Sequence, residues 1–117
     1  MARTVLVPSP GSVYWALEDS GTIFRSIDRR TWQKQDSGVQ SDLLAGAAPT
    51  DTVCWVVGRN GTILLTTDGS QWQQIKSPIT ADLVSVSAMN AEVADIVAAD
   101  GSHFRTLDGG STWMPTD

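Results

Sequence analysis

The stretch VCWVVGRNGTILLTTD, Val53 to Asp68, lies in register over two other stretches of the same chain. VYWALEDSGTIFRSID, Val13 to Asp28, precedes it, and VADIVAADGSHFRTLD, Val93 to Asp108, follows it. Val13, Val53 and Val93 align, as do Gly21, Gly61 and Gly101, and Asp28, Asp68 and Asp108. Only beyond Asp108 does the third copy gain a residue. A self-similarity of about 40 residues marks a repeat architecture, and it takes precedence over any local reading.

Each copy reads as four short strands. In the second they are Asp42–Ala48, Thr52–Gly58, Thr62–Asp68 and Trp72–Lys76, with β-branched and aromatic residues dominating the middle two and turn residues bounding all four. No useful length shows the i, i+3, i+4, i+7 spacing of an amphipathic helix. Asn60-Gly61 and Asp100-Gly101 predict type I′ hairpin turns, which need positive φ at both central residues. Val53, Trp55 and Val57 point one way and Cys54 and Val56 the other, so the middle sheet is apolar on both faces and must be sandwiched. A four-stranded unit of this period is a β-propeller blade. The fold expected is all-β, residues 1–117 forming one partial propeller of three four-stranded antiparallel blades, about 1–40, 41–80 and 81–117.

Each copy ends in a related phrase: SIDRRTW (Ser26 to Trp32), TTDGSQW (Thr66 to Trp72) and TLDGGSTW (Thr106 to Trp113). The Asp ends the third strand, where its carboxylate can accept the turn's own amides. Gly69, Gly109 and Gly110 suit positive φ, whereas the first copy has Arg29-Arg30 there. The Trp is expected to fold back over its hairpin and bury its ring. The structural set is therefore Ser26, Asp28, Trp32, Thr66, Asp68, Gly69, Trp72, Thr106, Asp108, Gly110 and Trp113. An alternative use of the three carboxylates as a metal or acid–base site fails because they sit on separate blades and should not converge.

The phrase resembles the Asp-box, the bacterial neuraminidase repeat, and the whole arrangement looks like the photosystem II stability/assembly factor family of propellers and its bacterial relatives. That resemblance implies a non-enzymatic, protein-binding scaffold and favours an extracytoplasmic location. A lectin-like glycan binder, with Trp rings stacking on sugars between blades, is the alternative. A sialidase-type glycosidase remnant ranks below both. A sialidase needs an Arg cluster and a Tyr–Glu pair, and here Tyr14 is the sole Tyr while the first strands lack Arg.

Composition narrows the partners. Hydrophobic residues make up 41% and charged residues 18% of the 117, which suits a folded chain. A net charge of −5 with scattered basic residues argues against nucleic acid. No apolar run approaches the ~20 residues of a membrane span, and the N-terminus lacks a signal peptide's charged and apolar regions. Cys54 is the only cysteine and His103 the only histidine, so no intrachain disulfide and no Cys-rich metal site can form. No metal and no cofactor is expected.

Three positions remain as possible partner contacts. Arg25 and Arg105 share a repeat column and could form a patch, or could cover apolar surface with their stems. Asp95 replaces Trp15 and Trp55 in a column expected to be buried, which suggests an interface or a frayed blade. The last expectation concerns closure. Propellers close with roughly four to eight blades, so a three-blade arc should leave apolar faces bearing Val13, Trp15, Leu17, Val93 and Val97 uncovered. A homodimer forming a six-bladed ring is the simplest remedy; a trimer, or a longer chain of which this is half, are the others.

Overall fold

β-branched and aromatic residues at alternating positions favour the pleated strand, because their side chains pack across neighbouring strands on one face. That is how the chain folds. A computed structural model describes residues 4–116. The first sheet is β1 (Thr4–Pro8), β2 (Tyr14–Glu18), β3 (Ile23–Ser26) and β4 (Gln33–Gln35). The second is β5 (Leu43–Ala47), β6 (Cys54–Gly58), β7 (Ile63–Thr66) and β8 (Gln73–Ile75). The third is β9 (Leu83–Ala88), β10 (Ala94–Ala98), β11 (His103–Thr106) and β12 (Met114–Thr116). Within each sheet consecutive strands pair antiparallel in chain order. These are three propeller blades. No helix among the described residues is long and apolar enough to cross a membrane.

Registers divide each blade into a forward and a back face. In the first blade Trp15 lies opposite Val7 and Arg25, and Leu17 opposite Val5 and Ile23. These forward-face side chains pack on Leu43, Cys54, Val56 and Leu64, the back face of the second blade. The second blade's forward residues Trp55, Val57, Ile63 and Leu65 pack in turn on Leu83, Ala94, Ile96 and Ala98 of the third. β6 is consequently buried at every position, as its two-faced apolar composition requires.

This stacking corrects the premise for closure. Val13, Trp15 and Leu17 are not left bare: they are 3%, 0% and 0% exposed within the single chain. They sit on the face that the second blade covers. Val93 and Val97 are half-buried. The open forward face of the third blade is instead polar, with Ser85 and Ser87 opposite Val97 and Asp95, and with His103 and Arg105. The open back face of the first blade carries Leu6, 58% exposed, next to Ala16 and Phe24.

The hairpins show a second correction. Asn60 and Gly61 have φ of 60° and 72°, as a type I′ turn needs, and Ser20 and Gly21 match them at 62° and 75°. Asp100 does not, although Gly101 does at 91°. The Ser20 amide donates to Asp42 Oδ1 and the Asn60 amide to Asp82 Oδ1, both at 2.9 Å, so the next blade's carboxylate holds each left-handed residue. Among the described residues none reaches the Asp100 amide. There the Gly101 amide donates to the Ala98 carbonyl and the Asp100 carboxylate accepts from Ser102.

Candidate functional site

Three Asp-containing turns repeat one hydrogen-bond pattern. Asp28 Oδ1 accepts from the amides of Arg30 and Thr31 at 2.8 and 2.9 Å. Asp68 Oδ1 accepts from those of Ser70 and Gln71, both at 2.9 Å. Asp108, in the turn with the extra residue, accepts from the Thr112 amide at 2.9 Å and from its hydroxyl at 2.6 Å. The preceding hydroxyls of Ser26, Thr66 and Thr106 are buried and accept the amides of Arg29, Gly69 and Gly110. Each hydroxyl also donates to its own Asp.

Donors aimed at a carboxylate favour its charged form. The turn amides therefore hold Asp28 and Asp68 below the usual carboxylate range. Asp108 goes further, to about 2, because the Thr112 hydroxyl donates as well. A carboxylate so held is a poor proton carrier near neutrality. The three turns sit one per blade.

The tryptophans differ from expectation. Trp72 and Trp113 do not stay within their own hairpins; each reaches the preceding blade. Trp72 packs beside the cluster of Val7, Trp15 and Leu17, and its Nε1 donates to Gln35 Oε1 at 2.8 Å. Gln35 Nε2 answers by donating to the Gly69 carbonyl at 2.7 Å. Trp113 meets Trp55 edge-on, centroids 6.0 Å apart and planes at 82°. Trp32, which has no blade behind it in the described residues, is 37% exposed.

Arg25 and Arg105 do not come together. Arg25 lies in the joint between the first two blades, its guanidinium 5.4 Å from the Trp15 ring centroid and Nη2 donating to the Asp51 carbonyl. Arg105 is exposed on the third blade's forward face, its Nε 2.7 Å from Asp95 Oδ1. Asp95 is thus half-buried rather than buried, and it has a partner, which corrects the expectation for its column. Hydrogen bonding to Asp95 raises the Arg105 pKa in turn. His103 is exposed on the same face.

Further polar links lie at the blade tips. Arg59 bridges Asp42 at 3.3 Å and Asp82 at 3.0 Å, tying the second hairpin to both carboxylates. On the first blade's back face Arg29 stacks over Tyr14, 5.1 Å from its centroid. Sequence reading did not assign a role to Tyr14, Leu6 or Phe24. The signal available for Tyr14 and Leu6 was their departure from the columns Cys54/Ala94 and Gly46/Val86, which only the stacking order makes meaningful.

Open clefts recur at the hairpin corner of each blade, with volumes of about 410, 380 and 440 Å³. Their recurrence makes them products of blade geometry rather than one distinguished site. Among the described residues no group of three His, Cys, Asp or Glu side chains is placed to hold a metal ion.

No protein-family model matches the chain, and no curated protein matches it. Solved structures do. A structure of YCF48 bound to a D1 peptide superposes with a TM-score of 0.77 over 97% of this chain at 21% identity. YCF48 from Cyanidioschyzon merolae superposes with a TM-score of 0.75 over 96% at 24% identity. The chain spans 44% and 37% of their lengths, less than half of each. With its three four-stranded antiparallel blades, the chain has the β-propeller fold of the YCF48 structures.

Proposed function

We propose that this chain is a non-enzymatic propeller module that binds protein, in the manner of an assembly factor, and that it completes a six-bladed ring by pairing with a second copy. The observation that carries the binding role is the superposition on a propeller solved with a peptide in place. In support, the carboxylates that a hydrolase would need as proton carriers are engaged by their own turns. In this reading Ser26, Asp28, Trp32, Thr66, Asp68, Gly69, Trp72, Thr106, Asp108, Gly110 and Trp113 build the blades, while Arg25, Arg105 and Asp95 are the positions for contact with a partner. The location outside the cytoplasm follows from the family resemblance alone.

The test uses three probes on the same preparation. A labelled D1 peptide, titrated by fluorescence anisotropy, is expected to bind. A glycan array is expected to retain nothing, and a fluorogenic sialoside to stay intact. Retention on the array without peptide binding would replace the reading with a lectin, and turnover of the sialoside would overturn the non-enzymatic assignment.

A further inference from the structure

The second hairpin turns through two left-handed residues, and that geometry selects them. Asn60 has φ of 60°, a region that Asn enters more readily than most residues with a side chain. Gly61 has φ of 72° and no room for a side chain, since a Cβ there would overlap the Ile79 carbonyl. The first hairpin meets the same geometry with Ser20-Gly21, at 62° and 75°. The second thus sets a carboxamide directly before a glycine, on an exposed residue, as the one Asn-Gly pair in the sequence.

An Asn-Gly pair carries its own chemistry. The glycine nitrogen, unshielded by a side chain, loses its proton and bonds to Cγ of the Asn. The Cγ–Nδ2 bond breaks, and ammonia leaves with the proton. Water then opens the succinimide at either carbonyl, giving aspartate or isoaspartate. The ring closes only when ψ of the Asn puts the glycine nitrogen on the side of Cβ. At the observed ψ of 31° that nitrogen lies nearly trans to Cβ, and Cγ is out of its reach.

The restraint on this conformation comes from the third blade. The Asn60 backbone amide donates to Asp82 Oδ1 at 2.9 Å, and Arg59 Nη1 donates to Oδ2 of the same carboxylate at 3.0 Å. Asp82 directly precedes β9. On the other side of the apex the Thr62 amide and hydroxyl both return to the Arg59 carbonyl, at 3.2 and 2.8 Å. The reactive geometry therefore requires the corner between the second and third blades to open.

We propose that Asn60-Gly61 is a deamidation site that the folded corner silences and that opening of the corner releases. The reaction runs one way, because neither product fits the closed corner. Aspartate adds a third carboxylate beside Asp42 and Asp82, with Arg59 alone bridging them. Isoaspartate routes the main chain through the former side chain and lengthens the turn by a CH2 group, so the amide held by Asp82 loses its place.

Peptide mass spectrometry during prolonged incubation at neutral pH, native and in urea, tests it; conversion adds about one mass unit to the Asn60 peptide. Reaction proceeds through opened chains, so native wild type is expected to convert about tenfold more slowly than wild type in urea, and native Asp82→Ala about tenfold faster than native wild type. Asp42→Ala removes the equivalent hold on the first hairpin and is expected to leave the Asn60 rate within about twofold. Asn60→Ser, the residue of the first hairpin, is expected to stay folded and gain no mass there. If circular dichroism finds Asp82→Ala unfolded, Asp82→Asn, which weakens the hold on Arg59, takes its place with an expected rise of about threefold. The converted wild type, separated by ion exchange, is expected to exchange the amides of residues 60 to 62 about tenfold faster than the unconverted chain. Equal native and urea rates would overturn the silencing. An Asp82 variant no faster than wild type, or matched by Asp42→Ala, would overturn the assignment to this corner. Unchanged amide exchange after conversion would overturn the one-way step.

Discussion

Gly101 and Gly110 provide a matched pair for measuring how tightly the blades are joined. Their φ values are 91° and 92°, so a Cβ imposes nearly the same backbone penalty at both. For an L-residue in that region the penalty is about 1–2 kcal/mol. Space is what separates them. Nothing lies within 4 Å of a Cβ on Gly101, whereas on Gly110 it would overlap Ile75 Cγ2. Ile75 is 8% exposed and Trp55, the next contact, is 0% exposed, so neither has room to retreat. Overpacking of such a site adds about 1–3 kcal/mol. Gly101→Ala is therefore expected to cost about 1–2 kcal/mol and Gly110→Ala about 2–5 kcal/mol. Urea melts at one fixed chain concentration read the difference. With a denaturant slope of about 1–2 kcal/mol/M, the Gly110 variant should lose an extra 0.5–3 M, roughly, in midpoint. Equal shifts in the two variants would refute the close joint between the second and third blades.

Two further outcomes follow from the turns. Trp72→Ala removes a ring that the first two blades share and strands Gln35 Oε1, so it should cost about 3 kcal/mol in the same melts; an unchanged midpoint would mean the ring is not part of the joint. Asp108 titrates at about 2 in the folded chain, below its unfolded value, so its contribution is present above pH ~4 and is lost as pH falls toward 2, where the unfolded chain takes up the proton first. A carboxyl NMR titration should show that midpoint, and Thr112→Val should raise it; a midpoint near 4 in the wild type would contradict the turn geometry.

What was legible in the sequence is what depends on periodicity. Val13, Val53 and Val93 in one column, and the turn signals between them, were enough for three four-stranded blades, because a strand's side-chain period and a hairpin's φ requirement are local properties. The amide-accepting geometry of Asp28, Asp68 and Asp108 is local in the same sense, being closed within a few residues of each carboxylate. Alternation also showed that β6 has two apolar faces.

Alternation does not say in which direction blades stack, and everything that depended on that direction was decided by the tertiary structure. It put Trp15 and Leu17 inside the first joint rather than on an open end. It placed Asp95 on the open end, where an Arg105 partner and solvent replace the wall that encloses Trp55. It carried Trp72 and Trp113 onto the blade before their own. It set Asn60 but not Asp100 at positive φ, since the carboxylate that holds Asn60 belongs to the next blade. In each case the deciding feature is a neighbouring blade or an open end, on a face that a single blade's pattern cannot distinguish from its opposite.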